Sequence, residues 1–148
     1  MLRIAGRLHD IGRIVVPSAV LQKPTSLAED EWTLVREHPA IGAAAVSKVP
    51  GLRTIAPVIR AHHEHWDGSG YPDGLTAQEI PLGARILAVA DAYVAMTNDR
   101  PYRKARLLTE ALEELRGCSG IQFDPEVVVA MEHVLEAATP AVDDVGAA

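Results

Sequence analysis

Apolar positions along the chain fall into helix-sized segments that are separated by Gly and Pro residues. No segment alternates apolar and polar residues with turn residues at both ends, so a sheet of any size is not expected. The fold class predicted from this pattern is all-α. The predicted helices are Leu2 to Leu8, about Leu27 to Val35, Pro39 to Ser47, Pro57 through His63, Ala84 to Thr97, and two further helices that begin near Thr109 and Asp124.

The helix boundaries follow from capping and proline signals. Ser26 and Glu29 have the spacing of a capping box, and the His38-Pro39 step disfavours continuation of the helix that this box begins. Thr109 and Asp124 are predicted N-caps, because a side-chain oxygen at this position accepts a backbone N–H of the first turn. Trp32 is expected in the core.

The segment Trp66 to Gly83 interrupts the helical pattern with many Gly and Pro residues. Such a composition predicts a defined loop, and loops that helices support often carry binding residues. The rest of the chain fits one domain over residues 1–138, and the Ala-rich tail 139–148 is predicted to be frayed.

Composition and charge narrow the function classes. The 148 residues are 48% hydrophobic and 23% charged, as in globular domains, and the net charge is -6. A surface for polymeric nucleic acid would need an excess of Lys and Arg, so that partner is not expected. With one cysteine, no secretory leader and no membrane-spanning run, the sequence predicts a cytoplasmic protein without membrane contact.

Asp91 is the first residue that indicates chemistry. It lies in the middle of the very apolar helix Ala84 to Thr97, where an ionised carboxylate requires a compensating partner. Arg85 or Arg100 could form an ion pair with it, and a metal ion is the alternative. These two interpretations stay open on Asp91 alone.

Further imidazoles and carboxylates favour the metal interpretation. The additional candidates are His9, Asp10, His38, His62 and His63. Without a nearby thiolate, these nitrogen and oxygen donors suit iron, manganese or zinc better than a structural cysteine site. Six donors exceed the need of one tetrahedral ion, whereas two ions about 3.5–4 Å apart could share a carboxylate such as Asp10 and clamp a phosphodiester.

Five segments, in this order and spacing, closely resemble the HD-GYP family. They are Leu8-His9-Asp10-Ile11-Gly12-Arg13, His38-Pro39, the run HHEHWDGSGYP from His62 to Pro72, Ala90-Asp91, and Asp99-Arg100-Pro101-Tyr102-Arg103. The resemblance extends from Leu8 to about Val128. It implies an all-helical HD-superfamily bundle with a Gly/Pro-rich GYP loop and without its N-terminal helix. The implied activity is hydrolysis of cyclic-di-GMP to linear pGpG or GMP.

The resemblance also implies roles for individual residues. Two or three divalent ions, iron first and manganese as the alternative, would be held by His9, Asp10, His38, His62, His63 and Asp91. Asp10 and Arg13 would take part in catalysis, Gly70 and Tyr71 would line the substrate pocket, and Arg100 and Arg103 would meet the phosphates of cyclic-di-GMP. An upstream regulatory or sensory domain and a homodimer are further expectations.

Three departures from the family pattern bear on turnover. The family takes a further ligand from a helix upstream of the HD pair, and only eight residues precede His9 here. Arg13 stands where the family usually has lysine, and a planar guanidinium differs in geometry from an ammonium. Val94 stands where the family commonly has a second aspartate that would orient a ligand.

Two alternatives to an active phosphodiesterase follow from these departures. The first is a catalytically weak or inactive relative that binds a cyclic dinucleotide or a partner protein. The second is an HD hydrolase that acts on another phosphate ester, against which the Gly70-Tyr71-Pro72 loop argues.

Overall fold

The computed structural model describes residues 1–99 and 104–138, and all the regular structure there is helical. The helices are α1 (Leu2–Leu8), α2 (Ser18–Leu21), α3 (Glu29–Arg36), α4 (His38–Ser47), α5 (Ala56–Arg60), α6 (Leu82–Thr97), α7 (Leu108–Gly117) and α8 (Pro125–Ala138). Short 3₁₀ turns cover Ile11–Val15, Arg53–Ile55 and Ala77–Glu79. Within these ranges no β-strand occurs, so the all-α prediction is confirmed. The predicted tail 139–148 lies outside the described residues.

The two largest of three apolar clusters among the described residues join most of the helices. The first joins α1, α4 and α5 through Ala5, Ala43, Val46 and Ile59. The second joins α6, α7 and α8, and its buried members include Val89, Leu115 and Val128. Among the described residues, no helix is both long and apolar enough to span a bilayer.

Two predicted helix starts are wrong for the same reason. Helix α3 begins at Glu29, after Ala28 rather than after Ser26, and helix α7 begins at Leu108, so Thr109 lies inside it. In both helices a glutamate at the third position accepts the backbone N–H of the preceding cap residue, at 2.7 Å in α3 and 3.1 Å in α7. A carboxylate in the first turn therefore fixes each start, without a hydroxyl cap.

The predicted N-cap at Asp124 is confirmed. Its Oδ1 accepts the backbone N–H of Glu126 at 2.8 Å, and Pro125 is the first residue of α8. The same carboxylate has a second partner, because Nη1 of Arg85 lies 2.6 Å from its other oxygen. Asp124 therefore ties the start of α8 to α6.

Helix α5 is shorter than predicted. It ends at Arg60, so His62 and His63 follow it in a turn instead of lying on it. The backbone N–H of Glu64 bonds to the carbonyl of Ala61 at 3.1 Å, which closes this turn. The two histidines are consequently held at a helix end.

Candidate metal centre

The predicted metal ligands come from separate helices that converge in space. His9 and Asp10 follow α1, His38 begins α4, His62 and His63 follow α5, and Asp91 lies in the middle of α6. Ligand atoms of four of them lie within 4.8 Å of one another, those of Asp10, His38, His62 and His63. Nε2 of His9 lies 3.4 Å from Oδ2 of Asp10 and 3.7 Å from Oδ1 of Asp91. The structure thus brings all six predicted ligands into one region.

Three of the imidazoles are oriented by the same backbone contact. Nδ1 of His9, His38 and His62 donates to the carbonyl three residues earlier, at 2.8, 2.7 and 2.6 Å. Because a carbonyl can only accept, Nδ1 carries the proton and Nε2 of each neutral ring presents a lone pair. Backbone carbonyls commonly fix metal-binding histidines in this way.

The lone pairs of this centre face one another. Nε2 of His38 lies 3.4 Å from Nε2 of His62 and 3.3 Å from Oδ1 of Asp10. When each ring carries a single proton, at Nδ1, its Nε2 has no proton for these contacts. Nε2 of His63 is also buried without a hydrogen-bond partner among the described residues. These donor atoms fit one or more cations held between them.

Burial and neighbouring charge adjust the ionisation of the centre. Burial lowers the pKa of His62 to about 4 and that of His63 to about 3, so both rings are neutral near pH 7. Burial alone would raise the pKa of Asp10, but the contact with His38 and the positive charge of Arg13 outweigh it and bring the pKa to about 2. Neutral imidazoles and an ionised carboxylate are the forms that bind metal.

Asp91 reaches the centre from a more open position than the sequence indicated. Its side chain is 42% exposed, because one side of α6 faces solvent, so the apolar surroundings that the sequence of this helix suggests cover only part of it. Arg85, a candidate ion-pair partner, instead contacts Asp124 at 2.6 Å. Arg100, the other candidate, lies outside the described residues. A short distance to His9 is therefore the polar contact that places Asp91 at the centre.

Arg13 closes one side of the centre. Its Nε lies 2.8 Å from Oδ1 of Asp10, in the 3₁₀ turn that also contains Gly12. A Cβ on Gly12 would lie 2.0 Å from the carbonyl oxygen of His38. The turn Ile11–Val15, called the HD turn because it follows His9 and Asp10, thus touches the start of α4 through backbone. This close approach explains how Asp10 and His38 come together.

The Gly/Pro-rich loop returns to the centre at Tyr71. The Tyr71 ring stacks on the His63 ring, with centroids 4.9 Å apart and planes 26° from parallel. The backbone N–H of Tyr71 donates to the backbone carbonyl of His63 at 3.1 Å. A Cβ on Gly70 would lie 2.2 Å from the backbone nitrogen of His65, so glycine is required there. Burial raises the pKa of Tyr71, which keeps its phenol protonated.

Glu64 organises this loop, a role that the sequence reasoning missed. Its side chain is only 3% exposed, yet its two oxygens accept the N–H groups of Asp73 at 2.7 Å and Leu75 at 3.1 Å. A carboxylate directly after two predicted ligands is more readily taken for another ligand. Only its position beneath the loop shows that it binds backbone instead.

We expect Glu64→Gln to loosen the loop. The amide that replaces one oxygen would face the N–H of Asp73 or Leu75, and an unpaired buried group costs about 1–3 kcal/mol. Chemical denaturation and amide hydrogen exchange at these two residues measure the effect. Glu79→Gln is the matched control, since this exposed carboxylate accepts from Thr76 and a glutamine can keep that bond. Equal protection of Asp73 and Leu75 in both variants would contradict this role.

Arg100 and Arg103, predicted to meet the substrate phosphates, lie outside the described residues. Trp32 was expected in the core, but 40% of it is exposed, and this expectation is wrong.

Comparison with known proteins agrees with the helical architecture. The HD domain family matches residues 1–127, and the chain belongs to this family. Within it, the HD-GYP resemblance indicated by the sequence motifs is confirmed.

Individual relatives match most of this chain. A cyclic di-GMP phosphodiesterase of Thermotoga maritima is 43% identical over 131 residues, which are 87% of this chain and 36% of the relative. The cyclic di-GMP phosphodiesterase response regulator RpfG of Xanthomonas campestris is 43% identical over 133 residues, or 88% of this chain and 35% of the relative. The chain therefore spans about a third of the length of these relatives.

A solved structure shares the fold. The crystal structure of a cyclic GMP-AMP specific phosphodiesterase from Vibrio cholerae superposes with a TM-score of 0.70 and 22% identity, covering 91% of this chain and 37% of that chain. This similarity supports the HD-superfamily bundle predicted from the sequence.

Proposed function

We propose that the chain is a metal-dependent phosphodiesterase that hydrolyses cyclic-di-GMP to linear pGpG or GMP. The observation that carries the proposal is the convergence of Asp10, His38, His62 and His63 within 4.8 Å, with lone pairs facing one another. The names of the relatives, two of them cyclic di-GMP phosphodiesterases, support the substrate.

The proposed ligands of two or three divalent ions, iron or alternatively manganese, are His9, Asp10, His38, His62, His63 and Asp91. Bound ions would lower the pKa of water and neutralise charge on a phosphodiester. Hydrolysis joins the water oxygen to phosphorus, breaks the P–O3′ bond and leaves a proton on the ribose 3′ oxygen. The position of His9 between Asp10 and Asp91 supports a centre large enough for more than one ion.

Other residues of the centre would bind the substrate. Arg13 lies against Asp10 and can offer its remaining N–H groups to a phosphate oxygen. Tyr71, protonated and stacked on His63, can donate its phenol to the substrate, and Gly70 lets the loop approach closely. Arg100 and Arg103 stay proposed phosphate contacts on the strength of the motif.

A binding module with weak or no turnover is the second candidate. The observation that favours it is Val94, which is 52% exposed one turn after Asp91, where a second carboxylate would orient the ligand. An exposed valine supplies no such hydrogen bond. The domain extent of residues 1–138, a cytoplasmic location, an upstream regulatory domain and a homodimer stay predictions.

We expect hydrolysis of cyclic-di-GMP by the purified chain after reconstitution with Fe²⁺ or Mn²⁺, and loss of at least about 95% of the rate on chelation, because the centre would supply most of the transition-state stabilisation. Chromatography of the products, with cyclic GMP-AMP and a phosphate monoester as comparison substrates, measures this. Re-addition of metal should restore the rate. Tight dinucleotide binding without products would favour the binding module, and preferential hydrolysis of the monoester would contradict the proposed substrate.

A further inference from the structure

A cavity lies beside the metal centre, between the HD turn and the segment that contains α2 and α3. Its volume is about 350 Å³, and its walls include Arg13, Lys23, Trp32, His63 and Tyr71; we call it the Trp32 pocket. Ligand sites commonly measure about 300–1,000 Å³, so this volume suits part of a ligand, such as one base with its ribose. His63 also lines a smaller cavity of about 160 Å³ that reaches Asp91. The Trp32 pocket therefore adjoins the centre directly.

The indole of Trp32 is unusually open for a residue of its size. Trp32 is 40% exposed on a short helix, although burial of so large an apolar side chain would stabilise the fold. The guanidinium of Arg36 lies 5.7 Å from the ring centroid and covers one face. The exposed part of the indole borders the Trp32 pocket, where a planar ligand could contact it.

An ion pair links the helix that carries Trp32 to the segment that precedes it. Glu31, the residue before Trp32, accepts from Nζ of Lys23 at 2.5 Å and from the N–H of Ala28 at 2.7 Å. These contacts link the first turn of α3 to the loop after α2. The backbone on which Trp32 stands is thereby tied to the segment that follows α2.

The chemistry of the walls suits a nucleobase more than an aliphatic group. Trp32 and Tyr71 provide aromatic surfaces, and several of the remaining lining residues are aliphatic. Arg13 reaches from the pocket to Asp10, so a charged donor stands between the aromatic surface and the centre. Aromatic rings that stack on bases, next to cations that meet the backbone, are the usual arrangement for binding nucleotides.

We infer that the Trp32 pocket receives one purine base of the cyclic dinucleotide, stacked on the indole of Trp32, while the adjoining phosphate lies at the metal centre. This inference rests on the proposed function. It assigns one base of the proposed substrate to the Trp32 pocket and the adjoining phosphate to the metal centre. It assigns Trp32 a role in substrate binding rather than in the bond-breaking step.

The test measures binding of a phosphorothioate analogue of cyclic-di-GMP to the metal-reconstituted full chain. Stacking on an aromatic residue is worth about 1–3 kcal/mol per base, so Trp32→Ala should raise the Kd roughly 5- to 150-fold. Trp32→Phe should cause an intermediate loss, because it keeps a smaller ring. With cyclic-di-GMP itself, KM should rise in the same order while kcat and bound metal change by less than about threefold.

Tryptophan fluorescence supplies a second, local readout. The chain has two tryptophans, and Trp66 lies against Arg85 rather than in the Trp32 pocket. In a Trp66→Phe background the remaining indole should be quenched by the analogue, whereas in a Trp32→Phe background quenching should largely disappear. Trp66→Phe alone is the matched control and should leave the Kd within about twofold.

The possible failures are distinguishable. If the parent chain hydrolyses cyclic-di-GMP but Trp32→Ala keeps its Kd and Trp32 is not quenched, the base site is wrong and the proposed function stands. Quenching that depends on Trp32, without hydrolysis by the parent chain, supports the base site and overturns the proposed hydrolysis of cyclic-di-GMP. Absence of both hydrolysis and quenching overturns both proposals.

Discussion

The double variant His62→Ala with His63→Ala should lose bound metal and hydrolysis together. These rings supply two of the four clustered ligand groups. His62 is only 2% exposed, so a water molecule cannot easily take its place as a metal ligand. A metal clamp stabilises transition-state charge by several kcal/mol, which corresponds to a rate loss on the order of a thousandfold or more. Elemental analysis and product chromatography on the same preparation measure both effects.

His133→Ala is the matched control for this double variant. His133 is exposed on α8 and is not one of the clustered donors, so its replacement should change neither metal content nor rate. Circular dichroism establishes that the double variant is folded. Full metal content in the folded double variant would refute the assignment of both histidines as ligands.

Gly12→Ala should strongly destabilise the protein and weaken metal binding. The added Cβ would lie 2.0 Å from the carbonyl oxygen of His38 and 2.7 Å from the backbone nitrogen of Gly42. Both contacts are with backbone, which cannot rotate away, so the HD turn must separate from α4. We expect a loss of about 3 kcal/mol or more in the free energy of unfolding, at the upper end of overpacking effects.

The effect on metal follows from the same displacement. Asp10 lies two residues before Gly12, and His38 is the residue that the new Cβ would push, so the 3.3 Å contact between their side chains should lengthen. Urea denaturation and a metal titration measure stability and affinity separately. Gly117→Ala is the matched control, because its Cβ would meet nothing within 4 Å at the end of α7. Equal stability of the two variants would contradict the close approach at Gly12.

The sequence located the helix ends beside the candidate donors only in part. The His9-Asp10 pair follows a helix end that the sequence indicates, whereas the His62-His63 pair was predicted to lie on a helix and instead follows one. Their convergence in space, however, depends on the apolar cluster that joins α1, α4 and α5. The residue types indicated metal, and the packing of three helices brought the donors together.

Predictions that depended on the partner of a side chain were less successful. Arg85 was a plausible partner for Asp91 from its place on the same helix, but it contacts Asp124, which is 39 positions further along the chain. Trp32 was expected in the core because of its size, and it lines a cavity instead. Neither outcome follows from local spacing.

By itself, the sequence determined the helical class, the family and the set of candidate ligands, because periodicity, turn residues and motif spacing are local properties of the chain. The tertiary structure decided which donors meet, that Glu64 holds the loop rather than a metal, and that Trp32 borders a pocket next to the centre. These features depend on contacts between residues far apart in sequence. Close backbone approaches such as that of Gly12 to His38 exist only after the helices have packed.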